Sequence, residues 1–306
     1  MNLRLMPVFL LIAPQESSQH QENAMTEHAE SPQPESRAAV GVDRPEHERI
    51  CNLVPSKGID RDWNLHNALA SEAIAAPQAA LPASVDLRDA WWTIGDQKNT
   101  GSCVGWASTD GVLRYHMVKA GKIAKPGLLS PRMTWMASKE TDEFTNRPET
   151  FIEGSGTSLK AAMEILRKYG SVPEATLPFV IKTAMYTGDP NTFFASAASR
   201  KVASYYNLAK NFASWRQWLA TVGPFMAGVG VDKTWDNATA TKGKLDTFQP
   251  NTVRGGHAIC VVGYTADKRF IIRNSWGTPW GDKGFAYASE AYITAGFFGE
   301  SYGITI

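Results

Sequence analysis

At Gly223-Pro224 the chain changes character. Before that point apolar residues recur at helical spacing. After it, short apolar runs alternate with turn residues. Helices gathered in one stretch and strands in the next exclude a regular alternation of strand and helix, and point to an α+β fold whose two lobes face each other across a cleft. On the helical side, a helix is expected from residue 102 or 103 to about 119, ended by Gly121. A second follows Ser130-Pro131, a cap with proline at the first turn. A third runs over 158–169 on the stripe Leu159, Met163 and Leu166 and stops at Gly170, and a fourth covers 212–222. On the other side, strands are expected over 225–231, 257–264, 269–274 and 284–288, mostly antiparallel.

The first 49 residues are unlike the rest. Eight acids stand against four arginines in the first 50, a net charge of −4 against +5 for the remainder. Ser, Gln, Pro and Glu dominate, and such a stretch buries too little apolar surface to offset its ordering entropy, so residues 1–49 are read as a disordered extension. The apolar run over 5–13 after Arg4 reads either as a weak secretory signal, interrupted by Pro7, or as part of a mis-assigned start with translation beginning at Met25. Residues 50–80, with Cys51, Trp63 and an alanine-rich connector, are expected to pack on the main body without blocking its cleft. The body itself spans 81–306.

With 31 Lys and Arg against 30 Asp and Glu, the chain has no electrostatic call for nucleic acid or a membrane surface. Three cysteines, Cys51, Cys103 and Cys260, exclude a disulfide-rich scaffold. No apolar run approaches the ~20 residues that cross a bilayer. No histidine–carboxylate or cysteine cluster has metal spacing, and no glycine loop for phosphate follows a strand, so neither metal nor cofactor is expected.

The chemistry sits in three short blocks. In Gly101-Ser-Cys103 a thiol stands at a helix N-terminus, where the dipole and free N–H groups favour the thiolate; taken alone, a buried inert cysteine is the commoner outcome. His257 opens an apolar strand after Gly255-Gly256 and can act as a proton acceptor, or be an ordinary strand-start residue. Asn274 ends the next strand in Asn274-Ser-Trp-Gly-Thr-Pro-Trp-Gly281, where its side-chain oxygen can orient an imidazole and Trp276 can cover the bond. Gln97 precedes Cys103 by six residues and can supply an oxyanion donor with the Cys103 N–H.

Together these blocks resemble the papain family of cysteine peptidases, in its order along 81–306. Val85-Asp-Leu-Arg88 is similar to the opening of the mature enzyme, Leu129-Ser130 to its second helix start, Glu153-Gly-Ser-Gly156 to its substrate strand, and Gly223-Pro224 to the entry of its sheet lobe. The resemblance implies a papain-like fold with a helical lobe over about 98–198 and a β-barrel-like antiparallel lobe over about 199–306, a monomer acting on a peptide or protein substrate. It implies Cys103 as nucleophile in a thiolate–imidazolium pair with His257, Asn274 as orienter, Gln97 in the oxyanion hole, Gly156 on the substrate backbone and Ala258 leaving room for a substrate side chain. The implied reaction is peptide-bond hydrolysis through a thioester; transfer of the acyl group to an amine and a non-catalytic peptide binder are the alternatives, the last predicting a lost nucleophile or base.

The chain also departs from the family. Thr100 stands where the family carries a disulfide cysteine, Val104-Gly-Trp106 replaces Trp-Ala-Phe, and Thr157 replaces the second glycine of the substrate strand. The charged and aromatic helical pattern of the family's long pro-segment is missing. Cys260 is read as a small buried apolar residue. The lost disulfide favours a reducing, cytoplasmic setting, and the apolar start leaves secretion open.

Overall fold

The computed structural model describes residues 49–141, 154–180 and 189–306. The expected disorder of the extension and the two readings of its start therefore lie outside the described residues, as does Glu153. Among the described residues no helix is long and apolar enough to cross a membrane, and no group of His, Cys, Asp and Glu is arranged to hold a metal ion.

In chain order the elements are α1 (Leu65–Ala70) and β1 (Val85–Asp86), then the central helix α2. This is built from Cys103–Gly105, a π-helical stretch Trp106–Leu113, and Arg114–Lys119. There follow α3 (Pro131–Thr141), α4 (Leu159–Lys168), α5 (Pro190–Ala198), β2 (Ser204–Asn207), α6 (Phe212–Thr221), β3 (Phe225–Gly230) and α7 (Lys233–Asp236). The chain closes with β4 (Lys244–Leu245), β5 (Gly256–Tyr264), β6 (Arg269–Arg273), β7 (Phe285–Ser289), α8 (Glu290–Gly296) and β8 (Phe297–Thr305). The expected helices and strands appear within a few residues of their anticipated bounds. Helices α1, α5, α7 and α8 and strands β2, β4 and β8 were not anticipated. In α5 an Asp189 cap and Pro190 at the first turn carry the start signal, with a short apolar face behind them.

Local chemistry explains the bounds. Ser158 caps α4 by accepting the Ala161 N–H at 3.3 Å, and Gly170, at φ +85°, lets the chain leave it. Asn211 caps α6 through the Ser214 N–H at 3.0 Å. The sheet runs β2-β8-β3-β5-β6-β7-β4, with β1 also paired to β5, antiparallel except for β4 beside β7.

Alternation along the central strands divides two cores. From β3 and β5, Phe225, Ala227, Val229, Ile259 and Val261 join an aromatic core with Trp215, Trp218, Trp235, Trp276 and Trp280. Met226, Ala258, Cys260 and Val262 face the other way, onto Val104, Ala107, Val112 and Leu113 of α2. Cys260 is thus the small buried residue expected. A Cβ on Gly111 would lie 2.9 Å from the Cys260 Cβ, so α2 presses directly on β5. This contact sets the helical half against the sheet half.

Within α2 the π geometry is explicit: the Arg114 N–H bonds the Thr109 carbonyl, five residues back. Its interior carries polar groups, and the largest cluster of them is centred on Asp110. The Asp110 carboxylate takes Arg114 Nη1 at 2.9 Å and Arg273 Nη2 at 2.5 Å, and its carbonyl takes the Trp92 indole N–H at 2.8 Å. Arg273 also donates to the Thr93 carbonyl at 2.5 Å and lies over the Trp92 ring. This buried group ties α2 to the end of β6, one residue before Asn274.

Candidate active site

The loop before α2 is tied by short hydrogen bonds. Gln97 is fully buried; its Nε2 donates to the Thr100 carbonyl at 2.9 Å, and its Oε1 accepts the Ser275 hydroxyl at 2.8 Å. The Gln97 N–H reaches the Ser275 carbonyl at 2.8 Å. Thr100 Oγ1 bonds the Gln97 carbonyl and the Ser102 hydroxyl, both at 2.6 Å. A hydroxyl thus closes the turn where the resemblance placed half of a disulfide.

Cys103 is the first residue of α2 and is fully buried. Burial pushes its thiol up to about 12, against the pull of the backbone N–H groups of Ala258, Val104 and Cys103 itself. The Ala258 contact brings the sulfur to β5 beside His257.

On the sheet side, Cys260 of β5 pairs with Arg273 of β6, and antiparallel register then sets the start of β5 beside the residues that follow β6. His257 Nε2 and Asn274 Oδ1 meet at 2.8 Å, and the same oxygen accepts the Ser275 N–H at 2.8 Å. Because Oδ1 can only accept, Nε2 carries the proton, and Nδ1, which has no partner, holds the lone pair. Trp276 lies 4.9 Å from the imidazole and Trp235 lies edge-on at 5.6 Å, sealing the bond from water. Burial pushes His257 down to about 4, opposed by the Asn274 hydrogen bond and reinforced by Arg254 and Arg49. Burial thus disfavours the charged form of both groups, thiolate and imidazolium alike.

Residues 49–54 lie against both walls of the cleft and add to this burial. The Leu53 N–H bonds the Gly256 carbonyl at 2.9 Å on the sheet wall, and the Val54 N–H bonds the Thr157 carbonyl at 3.1 Å on the helical wall. Asn52 Nδ2 donates to the Gly154 carbonyl. A Cβ on Gly156 would stand 1.9 Å from the Asn52 carbonyl oxygen, and one on Gly255 1.9 Å from that of Cys51. Both glycines therefore make room for a peptide backbone. The Leu53 side chain enters an apolar hollow formed by Gly228, Gly256 and Phe298, in the core cluster that includes Ala258. The expectation that this segment leaves the cleft open is overturned: its first residues bond to both walls.

The structure thus gathers Cys103, His257, Asn274, Gln97, Ala258 and Trp276, and sets Gly156 across from them against the segment. Sequence reasoning passed over Asp96 and Arg254, which hold Arg49, and Leu53. Asp96 adjoins Gln97 and Arg254 precedes the glycine pair, so nearness to the motifs was their only signal.

The model of the papain family cysteine proteases matches residues 81–298. The chain is 24% identical over 230 residues to Cysteine proteinase 1 of Dictyostelium discoideum, covering 71% of this chain and 63% of that protein. It is 24% identical over 213 residues to Macrodontain-1 of Ananas macrodontes, covering 67% and 88%. The match to cathepsin J of Mus musculus spans 40% of that protein's length. Among solved structures, xylellain, a cysteine protease from Xylella fastidiosa, superposes with a TM-score of 0.67 at 22% identity, over 87% of this chain and 99% of that one. Procathepsin B S9 from Trypanosoma congolense gives 0.62 at 15% identity, over 85% and 87%. The architecture is the α+β papain-like fold.

Proposed function

The chain belongs to the papain family of cysteine proteases, and from that premise we propose that it hydrolyses peptide bonds through a thioester on Cys103, and that residues 49–54 hold it latent. One observation carries the reading. A buried imidazole with an orienting amide on Nε2 and an unpartnered Nδ1 adjoins Ala258, whose backbone N–H meets the thiol of Cys103 at a helix N-terminus.

Nδ1 of His257 takes the Cys103 proton, and the thiolate attacks the substrate carbonyl. The oxygen that gains charge is met by the Cys103 N–H and by the second hydrogen of Gln97 Nε2, whose first is held by Thr100. The imidazolium returns its proton to the departing amine. A water activated by His257 then releases the acid and restores the thiol. Asn274, fixed by the Ser275 N–H, keeps the ring in the tautomer this needs.

Latency follows from the same groups. With residues 49–54 in the cleft, burial that raises the thiol and lowers the imidazole opposes proton transfer between them. Departure of the segment readmits water and relaxes both. The test is alkylation of Cys103 against pH, read by intact mass, in the unaltered chain and in Leu53→Glu, which puts a charge in the apolar hollow. Slow labelling in the first, fast labelling below pH 7 in the second, and loss of that speed on adding His257→Ala is the expected set. Equal rates in all three chains would overturn the reading.

A further inference from the structure

Residues 49–54 are the chain's own peptide in its own cleft, so the groups that hold them report what the walls recognise. The segment runs from Asp96 and Trp276 at one end, past Gly255 beside the catalytic groups, to the apolar hollow and Thr157 at the other. At the Trp276 end a guanidinium is held. Arg49 Nη1 donates to Asp96 Oδ1 at 2.8 Å, with Nη2 3.5 Å from Oδ2, and the Arg49 side chain is 12% exposed. Arg254 Nη1 donates to the Arg49 carbonyl at 2.8 Å. That guanidinium lies over the Trp276 ring and is itself held by Asp236 at 3.2 Å.

These groups belong to the body and do not depend on Arg49 for their position. The Gly277 N–H bonds the Gly95 carbonyl at 3.0 Å and the Gln97 N–H bonds the Ser275 carbonyl, which stitches the Asp96 backbone to the Trp276 loop on both sides. The Lys98 N–H holds Asp96 Oδ1 at 2.8 Å. Burial opposes ionisation of Asp96, but the Lys98 N–H and the Arg49 guanidinium outweigh it and keep the carboxyl below its usual range. Lys98 Nζ stands 3.2 Å from Oδ2 on a half-exposed side chain and shares the carboxylate with the guanidinium, which takes Oδ1.

We propose that Asp96, with Arg254 laid over Trp276, forms a subsite for an arginine of the peptide substrate on the leaving-group side of the cut. The side follows from the chemistry. His257 hands its proton to the departing amine, and Trp276 packs against His257, so the departing strand runs out over Trp276 towards Asp96. Asp96 takes the guanidinium and Arg254 takes a backbone carbonyl, as they do with Arg49. The inference rests on the peptidase reading above.

The experiment uses the full chain carrying Leu53→Glu. Peptides identical but for Arg, Lys, norleucine or Glu at each of the first three positions after the cut are compared by kcat/KM. Arg exceeds norleucine by about tenfold at one of these positions, with Lys between. The ratio collapses towards one in Asp96→Asn and turns in favour of Glu in Asp96→Lys. Equal rates at all three positions, or an Arg preference that survives Asp96→Asn, overturns the subsite.

A readout that needs no turnover accompanies it: in the same chain the Arg peptides slow Cys103 alkylation more than the norleucine peptides, and only while Asp96 is present. Protection without cleavage would sink the peptidase reading and leave the subsite standing; cleavage indifferent to Arg would do the reverse. Should Leu53→Glu fail to fold, Arg49→Gln opens the same end by itself. Its faster alkylation returns to the slow rate in the swapped pair Arg49→Asp with Asp96→Arg; no change on Arg49→Gln counts against the subsite.

Discussion

The two walls of the cleft position their residues by different physics. On the sheet wall, His257 and Asn274 are set by strand register and sealed by Trp235, Trp276 and Trp280, whose rings lie 5.1 to 5.5 Å from one another. On the helical wall, Cys103 leads a helix whose middle is π-helical and whose buried face carries Asp110, Arg114 and the Thr109–Thr134 hydroxyl pair, 2.7 Å apart. Apolar packing tolerates small shifts of a side chain. A buried ion group is stable in one arrangement and costly in any other. The sheet wall is thus specified by a pattern, and the helical wall by a few particular partners.

Four measurements would break or sharpen that contrast. The largest effect is chemical and falls on the sheet wall: His257→Ala in the open Leu53→Glu chain lowers kcat/KM by about 10³, read on any cleaved peptide. Next is the helical wall. Asp110→Ala strands Arg114 and Arg273 without their buried partner and costs about 3–5 kcal/mol in urea unfolding. A loss below about 1 kcal/mol would mean that the wall is held by its apolar face after all.

The third effect is a dependence on pH. Burial, opposed by a hydrogen bond with the Pro224 backbone, pushes His116 of α2 down to about 4. Above about 6.5 it is neutral in both folded and unfolded chains. As pH falls from about 6.5 towards 4 the unfolded chain takes a proton that the folded chain refuses, so stability drops across that window and levels off below it. Urea midpoints at several pH values should fall less steeply in His116→Gln. His257, also pushed down to about 4, contributes a slope of the same sign. The smallest effect is Ser158→Ala, about 1 kcal/mol for one lost cap on α4, measured the same way.

The contrast also explains what was legible beforehand. Strands β3, β5, β6 and β7 were readable because each alternates or runs apolar between turn residues. The Asn274-Ser-Trp-Gly block was readable because its spacing is dictated by one local turn. The π stretch was not, since its residues fit an ordinary helical stripe. Arg273 and Asp110 are 163 residues apart, and no local signal links them. Strand β8 was missed because Gly299 and Gly303 interrupt it, and β2 because four residues carry little pattern. The cleft occupant was missed for a subtler reason. Residues 49–54 have no periodicity of their own, and their conformation is imposed by Gly156, Gly255 and the carbonyls of the walls.

The segment leaves the cleft by a route that is built into the body. Asp62 takes Lys160 and the Tyr302 hydroxyl, Asn64 bridges Asn207 beside β2, and Ala68 and Ile74 are buried in the aromatic core. A plug moored so closely rebinds as a unimolecular event, at an effective concentration on the order of millimolar set by its tether. Its closure does not weaken on dilution, and a free copy of the same peptide needs comparable concentrations to compete with it. A cut in the alanine-rich connector after the moorings would leave that arithmetic almost unchanged. A cut between the cleft and Asp62 would turn the same contacts into an ordinary two-body equilibrium, and the plug would be lost to the bulk.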